Sequence, residues 1–462
     1  MAKHRTQPEV WGWCSGRSAP PITTLSLRKL SLRKLSLSMS LSLRMSLSLR
    51  KLTLSIALAA VNGLEDGSAP FYAAVNAQSG IDNSTGVLVK LEAAVAATGA
   101  RCLDGTPGAY YYRKGVGTGA NKWYIHHQGG GWCESLDDCL GRSKTHLGSS
   151  TGYGPTSGMG GGYFSPLPSD NPMMYNWNMV LLNYCDGGSF SGNNETVTVY
   201  QNTTLYFRGK RVREAAYASL LASGLDKATD VVISGCSAGG LATFLHTDQW
   251  CDALKAASPR GVKCVGMPDS GFFLDYQDPR RNATAYDARG RRLTTISGNY
   301  HAGLKWVFET MNTTGGINQD CINAKQTGGV TTDDPAYLCQ FAEHTSVFTH
   351  TPLFPLQSEY DSWQTGHVLY YPNTGADVQI MGNNLTKRIQ ADLFGPHPQS
   401  GAFLDSCWHH CGMWNSIRID GELVSVAFQR WYDGLGANGE SVPEKRVWKQ
   451  GQPYGCKECC KP

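Results

Sequence analysis

The feature that most constrains the fold is the glycine-rich turn Gly235-Cys236-Ser237-Ala238-Gly239-Gly240. The apolar run at residues 230–234 leads into this turn and predicts a buried strand, while residues 241–245 follow it as a predicted helix. Glycines at these positions allow a strained turn that lifts a serine hydroxyl above the edge of a sheet. The helix N-terminus also places backbone N–H groups beside the serine, where negative charge would develop. We therefore predict that Ser237 is a nucleophile.

Four further short apolar runs predict buried strands, at residues 123–127, 178–183, 262–267 and 353–356. The clearest amphipathic helix, residues 208–223, precedes the strand that leads to Ser237. This alternation of strands and helices favours an α/β fold with a mostly parallel sheet. No repeat, linker or change of composition divides residues 69–462, which are predicted to form one catalytic domain with a cysteine-rich tail.

A serine hydroxyl is a poor nucleophile at neutral pH, so it needs a histidine base and an acid that orients the histidine. In this kind of fold they follow the serine in the order acid, histidine. Asp361 follows the strand-like residues 353–356, at the edge where a parallel sheet presents functional side chains. Asp269 ends the predicted strand 262–267 and is the alternative acid.

Two adjacent histidines, His409 and His410, lie between Cys407 and Cys411 and are the candidates for the base. A disulfide between these two cysteines is expected, because it would fix the loop firmly enough to aim an imidazole. One histidine is then the base and the other a structural residue. Spacing alone does not decide between them.

A second glycine run, Gln128-Gly129-Gly130-Gly131-Trp132, follows the predicted strand 123–127. Enzymes with a serine nucleophile place a glycine-rich loop there, and its bare backbone lets N–H groups approach the substrate carbonyl oxygen. One such donor stabilises the transition state by about 3 kcal/mol. A phosphate-binding loop is the alternative, but no Lys-Ser or Lys-Thr pair follows the glycines.

The N-terminal residues have the composition of a leader. Residues 24–51 repeat Ser, Leu, Arg and Lys without an acid and are not expected to belong to a folded domain. Within them, a basic stretch that begins at Met45 precedes the apolar residues 52–60 and the small-residue pattern Ala57-Leu58-Ala59. This order predicts a signal peptide at about residues 45–60, within a leader that spans residues 1–68. An organellar transit peptide is the alternative, since such peptides are rich in Arg and Ser.

The cysteines predict a disulfide framework and an oxidising compartment, because the 15 of them show no zinc-finger spacing with His. Removal of the leader removes Cys14 and leaves an even number, as full pairing requires. In the tail Cys456-Lys457-Glu458-Cys459-Cys460, disulfides are favoured over a small metal site. Secretion also agrees with six Asn-x-Ser/Thr acceptors, at Asn83, Asn194, Asn202, Asn282, Asn312 and Asn384.

Charge and hydropathy argue against two kinds of partner. A formal net charge of +4, with 17% charged residues, provides no long basic face that would follow a phosphate backbone. Nucleic acid is therefore not an expected partner. No apolar run is long enough to span a bilayer, so no stable membrane insertion is expected.

Five motifs, in order along the chain, resemble the plant pectin acetylesterase family, which includes animal Notum. The resemblance extends from about residue 69 to about residue 413. This chain departs from the usual pattern at Gln128, which replaces an acid, and at Trp408 and His409, which replace Tyr or Phe and Ala. The motifs are Tyr124-Ile125-His126-His127-Gln128-Gly129-Gly130-Gly131-Trp132-Cys133, Gly235-Cys236-Ser237-Ala238-Gly239-Gly240, Asp269-Ser270-Gly271-Phe272-Phe273-Leu274-Asp275, Tyr360-Asp361-Ser362-Trp363 and Ser406-Cys407-Trp408-His409-His410-Cys411.

The resemblance implies an α/β-hydrolase-like three-layer sandwich with a mostly parallel central sheet. It implies Ser237 as the nucleophile, Asp361 as the orienting acid and His410 as the base. His410 is favoured over His409 because the histidine of the family motif directly precedes the second cysteine. Asp269 then takes a structural role or lies in the pocket wall.

The resemblance also implies the surroundings of the serine. The backbone N–H groups of Gly131, Trp132 and Ala238 match the oxyanion hole of the family, and Phe272 with Trp132 would line the substrate pocket. The implied chemistry needs no metal and no organic cofactor. A monomer is expected.

The implied function is that of a secreted serine carboxylesterase, outside the cell or in the cell wall, which removes O-acetyl groups from cell-wall polysaccharide, most directly pectin. A Notum-like deacylase of a lipidated protein is the alternative within the family. A non-catalytic secreted binding protein on the same scaffold and a plastid-targeted lipase are the alternatives outside it.

Overall fold

The computed structural model describes residues 84–258, 260–276, 300–327, 335–369 and 373–460. All of them belong to the larger of the two units into which the chain divides, Leu64–Pro462. The leader 1–68 with its signal peptide, and the acceptors Asn83 and Asn282, lie outside the described residues. The prediction of a boundary between residues 68 and 69 therefore stays a prediction.

A ten-stranded sheet forms the centre of the described structure. Seven strands at one side run parallel to one another, and three strands at the other side continue the sheet in antiparallel pairs. The parallel strands, from the edge inwards, are β14 (Val447–Lys449), β11 (Ala402–Asp405), β10 (Leu356–Ser358), β9 (Lys263–Asp269), β8 (Asp230–Cys236), β3 (Lys122–His127) and β5 (Asn178–Leu182). The antiparallel strands that follow are β2 (Ala109–Arg113), β1 (Thr85–Lys90) and β4 (Thr156–Gly158).

Two small antiparallel ribbons and ten α-helices complete the described residues. The ribbons pair β6 (Thr198–Tyr200) with β7 (Thr203–Leu205) and β12 (Arg418–Ile419) with β13 (Glu422–Leu423). The helices are α1 (Glu92–Ala97), α2 (Leu136–Arg142), α3 (Gly209–Ala222), α4 (Ala238–Ala257), α5 (Tyr300–Thr310), α6 (Gln319–Thr327), α7 (Ala342–Thr345), α8 (Ser362–His367), α9 (Gly375–Ile389) and α10 (Val424–Gly434). Among the helices of this described part, none has the length and apolarity that crossing a bilayer requires.

Both faces of the sheet are covered, because successive side chains of the central strands are apolar and buried on opposite sides. On β8, Val231 and Ile233 belong to one core cluster, and Val232 belongs to a second. Helices α3 and α4 supply side chains to the first cluster, and α10 supplies the second. The predicted α/β three-layer sandwich with a mostly parallel sheet is confirmed.

Four of the five predicted strands agree with β3, β5, β8 and β9 to within two residues, and the helix predicted at 208–223 is α3. The prediction of a strand at residues 353–356 is wrong in its bounds, since β10 begins only at Leu356. Leu353 pairs with Gly266 in an isolated bridge, and Leu356 pairs with Asp269. Pro355 lies between them and has no N–H to donate, so the ladder is interrupted there.

Candidate active site

The predicted site residues lie at one edge of the sheet, beyond the carboxyl ends of five adjacent parallel strands. β3 leads into the glycine loop 128–132, and β8 leads into Ser237. β9 ends at Asp269, β10 leads into Asp361, and β11 leads into the loop that carries His410. Because the carboxyl ends of parallel strands meet at the same edge, loops far apart in sequence converge there.

Ser237 forms the tight turn between β8 and α4. Its backbone has φ 60° and ψ −124°, outside both the strand and the helix regions. A residue held in such a conformation costs on the order of 1–3 kcal/mol, so the surroundings must fix it. One fixed contact is the backbone N–H of Ser237, which donates to the carbonyl oxygen of Asp269 at 2.9 Å.

Glycine is required at the turn because neighbouring backbone approaches closely. A Cβ atom on Gly235 would lie 2.2 Å from the Gly239 carbonyl oxygen, and one on Gly239 would lie 2.0 Å from the His127 carbonyl oxygen. A Cβ on Gly129 would lie 2.1 Å from the Cys236 carbonyl oxygen. The glycines therefore pack the turn against the end of β3 and the glycine loop.

His410 and Asp361 form a hydrogen-bonded pair. The Nδ1 atom of His410 lies 2.7 Å from Oδ2 of Asp361. Asp361 is fully buried, and its other oxygen accepts from the backbone N–H of Gln364 at 2.9 Å as the N-cap of α8. The Nε2 atom of His410 is buried and has no hydrogen-bond partner within the described residues. This nitrogen is therefore available to exchange a proton with another group.

A disulfide joins the chain neighbours of Ser237 and His410. Cys236 is bonded to Cys411, with the Cα atoms 5.9 Å apart. The prediction of a Cys407–Cys411 disulfide is wrong, since Cys407 is bonded to Cys460 of the tail. A disulfide can form only between cysteines whose Cα atoms lie close together in the fold. Cys236, at the end of β8, meets this condition with Cys411, although Cys407 is much nearer to Cys411 in sequence.

The other cysteines of the described residues are also paired. Seven disulfides together use all fourteen cysteines of this part of the chain, which confirms the predicted framework. In the tail, Cys456 bonds to Cys459. The remaining bridges are Cys102–Cys185, Cys133–Cys139, Cys251–Cys264 and Cys321–Cys339.

Asp269, the alternative acid, binds backbone and hydroxyl groups around the turn. Its Oδ2 accepts from the hydroxyl of Tyr163 and from the backbone N–H of Gly412, both at 2.9 Å. Its Oδ1 accepts from the hydroxyl of Ser270 at 3.1 Å. Burial raises the pKa of the Asp269 carboxyl, and these hydrogen bonds oppose that rise. The contacts attach the loop after His410 to the end of β9.

His409, the alternative base, faces a different carboxylate. Its Nε2 lies 3.0 Å from Oδ1 of Asp405, at the end of β11. Burial alone would lower the pKa of His409, but the hydrogen bond and the charge of Asp405 raise it above its ordinary value. The carbonyl oxygen of His409 accepts from the N–H of Ser362 at 2.9 Å. Within the described residues, Asp405 and His409 thus form a separate pair beside Asp361 and His410.

Hydrogen bonds from neighbouring side chains hold the carbonyl groups of the glycine loop. Gly130 and Gly131 have φ of 146° and 68°, which favours glycine. The Gly131 carbonyl accepts from the hydroxyl of Tyr184 at 2.8 Å, and the Gly130 carbonyl accepts from Arg142 at 2.8 Å. Gln128 accepts from the backbone N–H of Tyr184 at 2.9 Å. These contacts fix the loop beside the turn.

Three backbone N–H groups near the serine have no acceptor. In the described part of the chain, those of Gly131, Trp132 and Ala238 donate no hydrogen bond. Ala238 is also the first residue of α4, so its N–H lies at the positive end of a 20-residue helix. Such donors can bind a developing oxyanion.

Aromatic rings pack around Trp132 and His410. The Trp132 ring lies 5.1 Å from Phe273 and 5.6 Å from both Trp363 and Tyr300. Phe273 and Trp363 in turn lie 6.2 and 6.4 Å from the imidazole of His410. The indole nitrogen of Trp132 donates to Ser189 at 2.7 Å, which fixes the ring.

Phe272, which the family resemblance implies as a pocket residue, contacts different residues from its neighbour Phe273. Phe272 is fully buried against Phe244 of α4, 5.6 Å away, whereas its neighbour Phe273 contacts Trp132 and His410. Sequence reasoning also missed Tyr300 and the pairing of Cys236. Loop residues have no periodicity that shows which of two neighbours faces a pocket.

Two groups of potential metal ligands lie in the described part: Cys407, Cys459 and Cys460, which all form disulfides, and a cluster of Asp275, Glu343 and His344. Its acids already have partners. Asp275 pairs with Nδ1 of His301 at 2.5 Å, and Glu343 pairs with Nε of Arg388 at 3.1 Å. These contacts form a network of charged and polar side chains that joins Asp275 with helices α5, α7 and α9.

A parallel sheet that presents a serine on a strained strand-to-helix turn at its carboxyl edge is the architecture of the α/β hydrolases, and this chain has that fold. A family model described as Pectinacetylesterase matches residues 82–461. The chain therefore belongs to the pectinacetylesterase family, which confirms the resemblance of its five motifs, and it is an ester hydrolase.

Curated relatives support the same assignment. The chain is 31% identical over 400 residues to pectin acetylesterase 5 of Arabidopsis thaliana, across 81% of this chain and 84% of the relative. It is 34% identical over 376 residues to pectin acetylesterase 7 of the same plant, across 75% of this chain and 87% of the relative. A shorter match, 30% identical over 185 residues, covers 40% of this chain and 36% of the palmitoleoyl-protein carboxylesterase NOTUM of Homo sapiens.

Proposed function

We propose that this protein is a secreted serine carboxylesterase that removes O-acetyl groups from cell-wall polysaccharide, with acetylated pectin as its substrate. Ser237 is the nucleophile, His410 the base and Asp361 the acid that orients the base. The observation that carries this proposal is the buried Asp361–His410 pair, whose free Nε2 belongs to a loop bonded through Cys411 to Cys236.

In the first half of the reaction, Ser237 Oγ attacks the acetyl carbonyl carbon while His410 Nε2 takes the hydroxyl proton. Asp361 keeps the Nδ1 proton in place and stabilises the imidazolium that forms. The N–H groups of Gly131, Trp132 and Ala238 bind the oxyanion of the tetrahedral intermediate. The C–O bond to the sugar then breaks, and His410 returns its proton to the leaving sugar oxygen.

In the second half, water attacks the acetyl group on Ser237. His410 takes a proton from the water and gives it to Ser237 Oγ as the acyl bond breaks. One ester and one water thus yield one acetate and one free sugar hydroxyl. The proposed residues need no metal or organic cofactor for these proton transfers.

Three observations support secretion into an oxidising compartment. The seven disulfides would be reduced in a cytosol. The acceptors Asn202 and Asn312 are exposed, as glycosylation requires. The curated plant relatives are named for pectin, which in plants lies outside the cell.

Acetate release from a panel of acetylated pectin, xylan and other glycans tests the proposal, with wild-type enzyme and Ser237→Ala in parallel. We expect the wild type to release acetate, fastest from pectin, and the variant to release almost none. Equal release by both would contradict Ser237 as the nucleophile. Release from no polysaccharide, with hydrolysis of 4-nitrophenyl acetate retained, would contradict the substrate.

A second candidate is removal of a long acyl group from a protein, as the name of the NOTUM relatives describes for them. The cluster of apolar rings formed by Trp132, Phe273 and Tyr300, of which Phe273 lies 6.2 Å from the imidazole of His410, favours it, because an acyl chain would gain by contact with such rings. Hydrolysis of 4-nitrophenyl esters of increasing chain length separates the two. An enzyme specific for acetyl groups should show a hydrolysis rate that falls steeply as the acyl chain lengthens. A long-chain deacylase should show a rate that rises with chain length.

A further inference from the structure

Trp408 presents a large aromatic ring to solvent beside the proposed base. It lies two residues before His410 and is 62% exposed, the only exposed tryptophan in the described part of the chain. A single exposed apolar side chain is common at the surface of a folded domain and does not by itself indicate contact with another molecule. The position of Trp408, rather than its exposure alone, makes it informative.

A hydrogen bond to α8 holds the indole of Trp408 in place. Its Nε1 donates to the hydroxyl of Thr365 at 3.2 Å. Thr365 is buried in α8 and donates in turn to the carbonyl oxygen of Ser362 at 3.0 Å. Asp361 caps the same helix. A ring fixed to the element that carries the catalytic acid loses little conformational freedom when a ligand stacks on it.

Helix α8 itself carries two further aromatic rings, Trp363 and His367. Trp363 stacks on His367 at 4.5 Å with an interplanar angle of 6°, and His367 is exposed. Trp363 also contacts Trp132 at 5.6 Å. The helix thus carries both Trp363, whose ring lies 6.4 Å from the imidazole of His410, and Thr365, to which Trp408 is hydrogen-bonded.

We propose that Trp408 forms a carbohydrate subsite, in which its exposed indole face stacks against a pyranose ring of the polysaccharide next to the sugar that carries the reacting acetyl group. This inference rests on the proposed function. One face of a pyranose ring presents polarised C–H groups, which match the negative face of an indole, while the hydroxyl groups at the ring edge stay in water. An acyl chain would instead require an enclosed apolar cavity.

Binding to an inactive background tests the subsite separately from turnover. Ser237→Ala is titrated calorimetrically with acetylated galacturonate oligosaccharides of increasing length and with the acetylated monosaccharide. We expect Trp408→Ala, added to this background, to weaken oligosaccharide binding on the order of tenfold and Trp408→Phe to restore most of it. Leu167→Ala, which also truncates an exposed apolar side chain, is the matched control and should leave the affinity unchanged.

The outcomes separate the subsite from the proposed function. Equal affinity with and without the indole, or no oligosaccharide binding by Ser237→Ala, would overturn the subsite. Trp408-dependent binding together with no acetate release by the wild type would support the subsite and overturn the proposed esterase activity on this glycan. If Trp408→Ala affected only long-chain acyl esters, the ring would contact lipid and the subsite would be overturned.

Discussion

Cys236 and Cys411 form a disulfide, and each is the immediate chain neighbour of a proposed catalytic residue. Cys236 precedes Ser237 at the end of β8, and Cys411 follows His410 in the loop after β11. The backbone N–H of Cys411 also donates to the hydroxyl of Ser270 at 2.8 Å. The disulfide thus links the chain segments that carry the proposed nucleophile and the proposed base.

Removal of this disulfide should impair catalysis even under conditions where the protein stays folded. We expect Cys236→Ala/Cys411→Ala to lower kcat on the order of 100-fold, because a displacement of about 1 Å has that effect. The free energy of unfolding should fall by about 2–5 kcal/mol. Ester hydrolysis and circular dichroism at a temperature where the variant stays folded measure both. The control is Cys456→Ala/Cys459→Ala, which removes a disulfide of the tail and should leave kcat unchanged. A folded Cys236→Ala/Cys411→Ala variant with full kcat would refute a role of the Cys236–Cys411 disulfide in positioning Ser237 and His410.

The choice of Asp361 over Asp269 can be tested with paired amide variants. Asp361→Asn should lower kcat by about 10⁴-fold, because the amide no longer holds the imidazole in the required tautomer. Asp269→Asn leaves one accepting oxygen where Tyr163, Gly412 and Ser270 use two, and should instead lower the free energy of unfolding by about 1–3 kcal/mol. Steady-state kinetics and urea unfolding of both variants distinguish them. The reverse ranking of the two kcat losses would make Asp269 the acid.

His126, buried on β3, should make the protein less stable in acid. Burial lowers the pKa of His126 from 6.5 to about 3, so the folded chain keeps it neutral while the unfolded chain takes up a proton below 6.5. Its contribution is complete above pH 6.5 and is lost as the pH falls towards 3, by about 1.4 kcal/mol per pH unit. In urea unfolding between about pH 6 and 4, His126→Asn should therefore show a shallower loss of stability than the wild type. An unchanged slope would mean that His126 is charged in the folded state.

Gly239 should not tolerate a side chain. A methyl group there would lie 2.0 Å from the His127 carbonyl oxygen, so Gly239→Ala should displace the turn and lower the free energy of unfolding by about 1–3 kcal/mol or more. Gly141 in α2 has nothing within 4 Å of its Cβ position, and Gly141→Ala should stabilise the protein by up to about 1 kcal/mol. Thermal unfolding of the two variants gives the comparison. Equal behaviour would contradict the close packing of the turn.

The sheet and its functional edge could be predicted from the sequence because their signals are local. An apolar run followed by glycines identifies a strand and a turn, and parallel strands order the loops after β3, β8, β10 and β11 at one edge. The candidate acids and bases could be named in this way, but not chosen, since Asp269 ends one strand and Asp361 follows shortly after the end of the next. The resemblance to a family supported the choice, and the 2.7 Å contact of Asp361 with His410 agrees with it.

The partners of Cys411 and the role of Phe273 depend on tertiary contacts. Cys407 is only four residues from Cys411, yet the fold places Cys236, 175 residues away in sequence, opposite Cys411. Phe272 and Phe273 are adjacent and both buried, and only the direction of the backbone after β9 places one against Phe244 and the other near His410. Neither outcome is encoded in a local pattern.

Covalent labelling of Ser237 tests the central claim most directly. The enzyme is treated with a fluorophosphonate ester, and mass spectrometry locates the adduct while residual esterase activity is measured. We predict one phosphonyl group on Ser237 with parallel loss of activity, and little labelling in His410→Ala, because the hydroxyl then has no base. Complete inactivation with the adduct on another residue, or undiminished activity with Ser237 fully labelled, would contradict the assignment of Ser237 as the nucleophile.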